Sequence, residues 1–177
     1  PVTISGSRLY DSTTSADNSI LTISSGVSGE NLTLTGSGVL GAASAGVQTI
    51  TNNNTLTIAD GTGLASNYTL SGATINVTII PRTLNVTFTR QYDGTLSVDG
   101  GSLIPTFDSL QGGETLSLTG TGSILNADVG NSKVVTIGSL ALAAGSGNPS
   151  NYTLNSARMN VTQRVINLDG IRAYDAS

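Results

Sequence analysis

The stretch GETLSLTGTG at residues 113–122 decides the fold of this chain. Its leucines, Leu116 and Leu118, alternate with Ser and Thr, which is the period-two pattern of a strand with one buried and one solvated face. Glycines flank the alternation, as expected where strands end in turns. Alternating segments of this kind recur along the chain between Gly, Asn and Asp clusters. The sequence therefore predicts an all-β protein built from short antiparallel strands.

The same stretch occurs a second time, as GENLTLTGSG at residues 29–38. Two other motifs also recur at nearly the same spacing, so the chain contains an internal repeat. The Arg-x-Tyr-Asp motif occurs three times and the Asn-Tyr-Thr-Leu motif twice. Their key residues are Arg8, Tyr10 and Asp11; Arg90, Tyr92 and Asp93; Arg172, Tyr174 and Asp175; Asn67 and Tyr68; and Asn151 and Tyr152.

The repeat divides the chain into residues 1–82, residues 83–164 and residues 165–177. The first two segments are complete modules, and the third repeats the first strand of a module. Each complete segment is long enough for a small domain and too long for one rung of a solenoid. We expect two tandem antiparallel β-sandwich modules, Ig-like, each of roughly seven or eight strands. A β-grasp-like module with one short helix is the alternative fold.

The composition excludes several classes of protein. The chain has no Cys and no His, so it contains no disulfide, no thiolate metal site and no Ser-His-Asp triad. Its acidic residues form no calcium-loop pattern, and no carboxylate pair is spaced for acid–base catalysis. The net charge of −4 argues against nucleic acid, and no apolar run is long enough for a membrane helix. We therefore expect no enzyme, no catalytic or metal site, no cofactor and no membrane insertion.

The five tyrosines of the chain occupy only two repeat positions. Arg and Tyr two residues apart on a strand share a face, and the following Asp suits a turn. We interpret the Arg-x-Tyr-Asp motif as a folding element, with a polar ligand site as the alternative. We expect Tyr68 and Tyr152 to bury their rings and to bond their hydroxyls to the backbone near a corner of the module. Asn67 and Asn151 are expected to hold the preceding turn.

Four motifs in sequence order resemble a known repeat: YDGT at residues 92–95, GETLSLTG at 113–120, VGNSKVVT at 129–136 and NYTL at 151–154. Together they resemble the YDG repeat, a relative of the mostly-β, glycine-rich (MBG) repeats of large secreted bacterial adhesins. The resemblance covers nearly the whole chain twice, with Asp11-Ser12 in place of Asp-Gly in the first copy. It implies two-partner, filamentous-haemagglutinin-like secretion to the bacterial cell surface, and it implies no catalytic residues.

The sequence thus predicts a non-catalytic stalk or spacer repeat of a cell-surface or biofilm-matrix adhesin, with neighbouring modules of the same protein as partners. The alternative is that the modules themselves bind extracellular polysaccharide or self-associate into filaments or cell–cell contacts. Because the chain starts with Pro1 and has no signal peptide, we expect it to be part of a longer protein. We also expect residues 165–177 to pair as a strand, with the preceding module or with an identical chain.

Overall fold

The computed structural model of the protein describes residues 2–168 and residue 170. These residues form sixteen β-strands and three single-turn 3-10 helices, with no α-helix among them. The all-β class and the two sandwich modules predicted from sequence are confirmed. The described residues contain no helix of the β-grasp type. The 3-10 helices are Asn18–Ile20, Ala65–Asn67 and Pro149–Asn151.

Each module contributes eight strands. Those of the first module are β1 (Thr3–Leu9), β2 (Ser15–Asp17), β3 (Leu21–Ser24), β4 (Thr33–Thr35), β5 (Ser37–Leu40), β6 (Gly46–Asn52), β7 (Thr57–Ala59) and β8 (Asn76–Ile80). Those of the second module are β9 (Arg82–Gln91), β10 (Ser97–Asp99), β11 (Thr106–Phe107), β12 (Leu116–Thr119), β13 (Thr121–Ile124), β14 (Gly130–Thr136), β15 (Ala141–Ala144) and β16 (Tyr152–Thr162).

The two modules have the same topology. A six-stranded sheet in the order β2-β5-β6-β8-β1-β3 faces a two-stranded sheet of β4 and β7. The second module repeats this with the order β10-β13-β14-β16-β9-β11 and the pair β12 and β15. The sequence repeat is therefore a repeat of one sandwich.

One strand pair in each module departs from the expected antiparallel arrangement. The first and last strands of a module, β1 with β8 and β9 with β16, lie side by side and run parallel. Parallel neighbours require a long crossover connection, and here the six intervening strands supply it. Alternation along a single strand does not report the direction of its neighbour, so sequence reasoning missed this pair.

The stretch at residues 113–122 turns a corner between the two sheets. Leu116 and Leu118 are buried in β12 while Ser117 and Thr119 are exposed, as the alternation predicts. Gly120, at φ 78°, then passes the chain to β13 in the other sheet. A Cβ on this glycine would lie 2.1 Å from the carbonyl oxygen of Ser139. Gly36 makes the same corner in the first module, so the repeated glycine is required by both backbone angle and space.

Three clusters of buried side chains form the core. One lies inside the second module around Phe88 and Met159, and one inside the first around Ile4 and Ile75. The third cluster spans both modules, and its buried members are Tyr10, Ala16, Leu40, Val77, Ile79, Leu84, Leu116 and Tyr152. The modules are therefore packed against each other through an apolar contact.

A single residue, Pro81, separates β8 from β9. The predicted boundary after residue 82 falls just inside β9, whose first residue is Arg82. The covalent connection between the modules is therefore a single residue. This connection places the end of β1 next to the start of β16, where the candidate functional site lies.

Candidate functional site at the junction of the modules

A carboxylate of the second module binds one tyrosine from each module. Glu114 accepts a hydrogen bond from the Tyr10 hydroxyl at Oε1 and one from the Tyr152 hydroxyl at Oε2, both at 2.6 Å. The two rings meet edge to face, with centroids 5.3 Å apart and planes at 77°. Hydrogen bonds to an ionised acceptor are short and strong, and edge-to-face rings attract each other. These three side chains therefore join the modules specifically.

Backbone contacts extend the joint on both sides. The amide of Ala45, in the first module, donates to Asn151 Oδ1 at 2.9 Å. The guanidinium of Arg82 donates from Nε to the carbonyl oxygen of Tyr10 at 2.9 Å. In the second module, the amide of Gln111 donates to the Tyr152 hydroxyl at 3.0 Å. We call the set of Tyr10, Ala45, Glu114, Asn151 and Tyr152 the tyrosine joint.

The tyrosine joint excludes most solvent. Tyr10 is 3% exposed, and Asn151 and Tyr152 are each 4% exposed. Burial, followed by the hydrogen bond to Glu114, raises the pKa of Tyr10 to about 12. The same two causes raise the pKa of Tyr152 to about 12. Both tyrosines therefore stay protonated and act as donors to the carboxylate well above neutral pH.

Local structure holds each member of the joint in place. Tyr10 directly follows β1, and its amide donates to the carbonyl oxygen of Ile80 at 2.9 Å. Asn148 caps the 3-10 helix Pro149–Asn151, which leads into β16 and positions Asn151 and Tyr152. Gly147 lies behind Glu114, where a Cβ would come within 2.9 Å of Glu114 Oε2. The lack of a side chain at Gly147 thus leaves space for the carboxylate.

The arginine and aspartate of the Arg-x-Tyr-Asp motif brace the adjoining turn. Arg8 forms an ion pair with Asp11 and donates to the carbonyl oxygen of Thr13 at 2.5 Å. Asp11 accepts from the amide of Thr13 at 2.9 Å. The aromatic contact of Tyr10 is with Tyr152, so its ring and the Arg8 guanidinium have different partners. In the first module, the arginine and aspartate of the motif therefore stabilise their own turn, while the tyrosine contacts the second module.

The second copy of the motif forms the same turn. Arg90 donates to the carbonyl oxygens of Thr95 and Ser97 and lies 3.7 Å from Asp93 Oδ2. Hydrogen bonds from the amide and hydroxyl of Thr95 lower the pKa of Asp93. For Asp11, burial opposes the shift, but bonds from Thr13 and Arg8 outweigh it and lower the pKa. Both aspartates are therefore held in the charged form.

The chain matches one known protein family. The YDG domain family matches residues 1–77 and again residues 76–159. The chain belongs to the YDG domain family. No curated protein and no solved structure matches it. The first match ends within β8 and the second begins there, so each match covers nearly all of one sandwich and each sandwich is one YDG module.

The first YDG module has the same carboxylate site, at the end away from the junction. The Tyr68 hydroxyl donates to Glu30 Oε2, as Tyr152 does to Glu114. Gly63 lies behind Glu30 as Gly147 lies behind Glu114. Tyr68 is half-buried and Asn67 is exposed, whereas Asn151 and Tyr152 are buried. The hydrogen bond to Glu30 raises the pKa of Tyr68.

The second YDG module has the counterpart of Tyr10 at the end away from the junction. Tyr92 is 41% exposed, and its amide donates to the carbonyl oxygen of Thr162 at 2.9 Å. The backbone therefore places Tyr92 as it places Tyr10. Its hydroxyl makes no hydrogen bond to the described residues. Among the residues that the structure describes, no second tyrosine contacts this ring as Tyr152 contacts Tyr10.

Sequence reasoning missed the carboxylates. Glu30 and Glu114 are the only glutamates of the chain and occupy the same repeat position. The two glutamates recur once in each module, as the tyrosines do, and this recurrence could have identified them as partners of the tyrosines. The predicted backbone partner of Tyr152 is present in Gln111, but Glu114 and Tyr10 are the partners that join the modules.

Part of the third predicted repeat lies outside the described residues. Arg172, Tyr174 and Asp175 are among these, so their placement stays a prediction. Residues 165–168 are described and belong to no strand, so the pairing expected for residues 165–177 is not formed over that stretch. Pairing with an identical chain stays a prediction.

Two further features concern metal ions and membranes in the described part of the chain. Its Asp and Glu residues form no cluster suited to hold a metal ion. Its helices are all too short to cross a membrane.

Proposed function

We propose that this chain is a non-catalytic spacer: a pair of tandem YDG modules that holds a binding region of a bacterial surface or biofilm-matrix adhesin away from the cell. The proposal places the protein outside the cell, with neighbouring modules of the same polypeptide as its partners. The tyrosine joint is the observation that carries it. A spacer has to keep its two ends in a fixed relative position. A joint with specific side-chain contacts fixes one module relative to the next.

The contacts of the joint support a fixed orientation between the modules. Pro81 alone limits how far they separate, but a short connection still permits rotation. The carboxylate of Glu114 restricts that rotation because it must satisfy hydroxyls from both modules together. The apolar cluster around Leu84 and Ile79 adds a nonpolar contact that rotation would expose. The modules should therefore behave as one rigid unit.

The surface also suits a spacer. Charged residues make up 10% of the chain, and Ser, Thr, Gly and Asn make up nearly half. Such a surface is well solvated without a strong field that would attract charged partners. The resemblance to repeats of large secreted bacterial adhesins supports the same function.

Distances between spin labels test the rigidity directly. The chain has no Cys, so labels attach only at introduced positions. Thr22→Cys in β3 and Val134→Cys in β14 place one exposed label in each module. We expect a single narrow distance distribution from pulsed dipolar spectroscopy. Glu114→Gln should broaden it, because the joint then loses its charged acceptor.

Glu30→Gln is the matched control, since it makes the same change at the corresponding site of the first module and should leave the distribution narrow. A broad distribution in the unmodified chain would contradict the spacer proposal. So would saturable polysaccharide binding that Tyr92→Ala abolishes without unfolding. That second result would support binding by the modules themselves.

A further inference from the structure

The tyrosine joint places two phenol rings in contact across the two modules. Tyr10 belongs to the first module and Tyr152 to the second, and their ring centroids lie 5.3 Å apart. At this separation the edge of one ring is in van der Waals contact with the other. Among the residues that the structure describes, no other two aromatic rings meet in this way. The pair is therefore the place where aromatic side chains of both modules lie nearest to bonding distance.

The hydroxyls of the two rings converge on one carboxylate. Tyr10 donates to Oε1 of Glu114 and Tyr152 donates to Oε2, each at 2.6 Å. The hydroxyl-bearing ends of both rings are therefore held beside the same group. In a phenol radical, the unpaired electron is shared with the ring carbons next to the hydroxyl, and these carbons bond to a second radical. The joint thus brings together the parts of the rings that are able to couple.

Coupling of the rings requires only a small movement. A bond of about 1.5 Å between two ring carbons sets the centroids about 4.3 Å apart, so the rings have to approach by about 1 Å. Tyr10 directly follows β1, and Tyr152 is the first residue of β16. Rotation about the side-chain torsions supplies a shift of this size without a change in either strand.

Glu114 also provides the proton acceptor that the oxidation of a phenol needs. Burial and the hydrogen bond to Glu114 hold the pKa of Tyr10 and of Tyr152 at about 12, so both tyrosines carry their hydroxyl protons. A phenol releases this proton as it loses an electron, and here the carboxylate already accepts both hydroxyl hydrogen bonds. Glu114 is half-buried between the exposed residues Gly113 and Thr115, so it passes the protons on to water one at a time.

The composition of the chain directs oxidation to its tyrosines. Cys and Trp, the side chains that compete most strongly with Tyr as electron donors, are absent. The single methionine, Met159, is fully buried. Tyr10 and Tyr152 are 3% and 4% exposed, but an electron tunnels over short distances through protein and needs no direct contact with the oxidant.

We propose that Tyr10 and Tyr152 form a cross-linking site, which a one-electron oxidant driven by hydrogen peroxide, such as a peroxidase haem, converts into a dityrosine that joins the two modules covalently. Each tyrosine loses one electron and its hydroxyl proton. The two radicals form a carbon–carbon bond next to the hydroxyls, and the hydrogen of each bonding carbon moves to the oxygen, which restores both phenols. One hydrogen peroxide takes up the two electrons and two protons and becomes two water molecules.

The cross-link makes the joint permanent. The chain has no Cys, so a disulfide cannot connect its modules. A carbon–carbon bond between the rings does so, and thiols do not reduce it. The bond also holds the modules together at alkaline pH, where ionisation of the tyrosines weakens the hydrogen bonds to Glu114.

Controlled oxidation of the full chain tests the proposal. A photo-excited tris(bipyridyl) ruthenium complex removes single electrons, and persulfate takes the place of hydrogen peroxide as the final electron acceptor. In dilute solution we expect a single chain that has lost the mass of two hydrogen atoms and shows the blue fluorescence of dityrosine. Trypsin should then release residues 9–82 linked to residues 134–158. Fragmentation of this pair should locate the bond at Tyr10 and Tyr152.

Two conservative variants at the same repeat position provide the comparison. Tyr10→Phe keeps the ring but has no hydroxyl to oxidise, so the linked pair of peptides should be lost. Tyr92→Phe makes the same change in a ring that is 41% exposed and away from the joint, and it should cross-link like the unmodified chain. Amide spectra recorded before oxidation check that both variants are folded.

An unmodified chain that forms no link, under conditions in which the same oxidant couples free tyrosine, would overturn the proposal. A linked pair that persists in Tyr10→Phe, or a bond at Tyr68 or Tyr92 in place of Tyr10 and Tyr152, would overturn it too. The inference goes beyond the spacer function and fails separately from it. A chain that never cross-links would still show the narrow label distances that the internal joint predicts.

Discussion

At the scale of single residues, the carboxylate of Glu114 is the most consequential group. It uses both oxygens to bind hydroxyls from different modules, 104 residues apart for Tyr10 and 38 apart for Tyr152. The sequence identified the tyrosines as residues that organise each module, because they recur periodically in a chain of mostly small side chains. It did not reveal that Tyr10 packs on the next module, because a repeat looks the same whether its contacts lie within a unit or between units.

Alkaline pH should weaken the joint and lower the stability of the fold. The pKa of Tyr10 and of Tyr152 is about 12 in the fold, against an ordinary value near 10. Since the folded values are raised, their stabilisation is complete below pH 10 and is lost as pH rises toward 12. The free energy of unfolding, measured with denaturant, should fall across this window. Tyr10→Phe should fall less steeply, and equal slopes would contradict the assignment.

At the scale of elements, each module depends on one glycine corner between its two sheets. The alternation predicted the strands on either side, and the glycine predicted a break. The pattern could not show that the break transfers the chain to a different sheet. That information lies in the carbonyl oxygens of Thr55 and Ser139, which crowd Gly36 and Gly120 from distant segments.

Gly36→Ala should destabilise the first module more than Gly72→Ala. Both glycines have positive φ, 79° and 75°, so both variants carry left-handed strain of about 1–2 kcal/mol. Only Gly36 is crowded, with Thr55 O at 2.1 Å from a built Cβ, while Gly72 has nothing within 4 Å. Overpacking adds about 1–3 kcal/mol at Gly36 alone. Denaturant titration measures the difference, and equal losses would show that the contact relaxes freely.

At the scale of the whole molecule, the modules form one unit because the third apolar cluster crosses the junction. The all-β class, the module count and the repeat followed from periodicity and self-comparison. The parallel pairing of first and last strands did not, and neither did the joint. Both depend on contacts between segments far apart in sequence, which local patterns do not encode.

Unfolding experiments should show that the two modules stabilise each other. The unmodified chain is expected to unfold in one calorimetric transition, since separating the modules exposes Tyr10 and its apolar neighbours. Tyr10→Ala should cost about 3–5 kcal/mol of contact energy and split the transition in two. Tyr92→Ala, at the same repeat position, removes a ring that is 41% exposed. It should change stability by less than about 1 kcal/mol and keep one transition. A single transition in Tyr10→Ala would refute the coupling.

The parallel pairing of first and last strands also determines how a module responds to tension. The chain enters at the start of β1 and leaves at the end of β8, so pulling its ends drives these neighbours past each other. The backbone hydrogen bonds between the two strands are then loaded in shear and must break together, rather than one at a time. The paired register runs from Ser5 to Leu9 in β1, but from Arg82 to Gln91 in β9. Under tension applied to its ends, the first module should therefore unfold before the second.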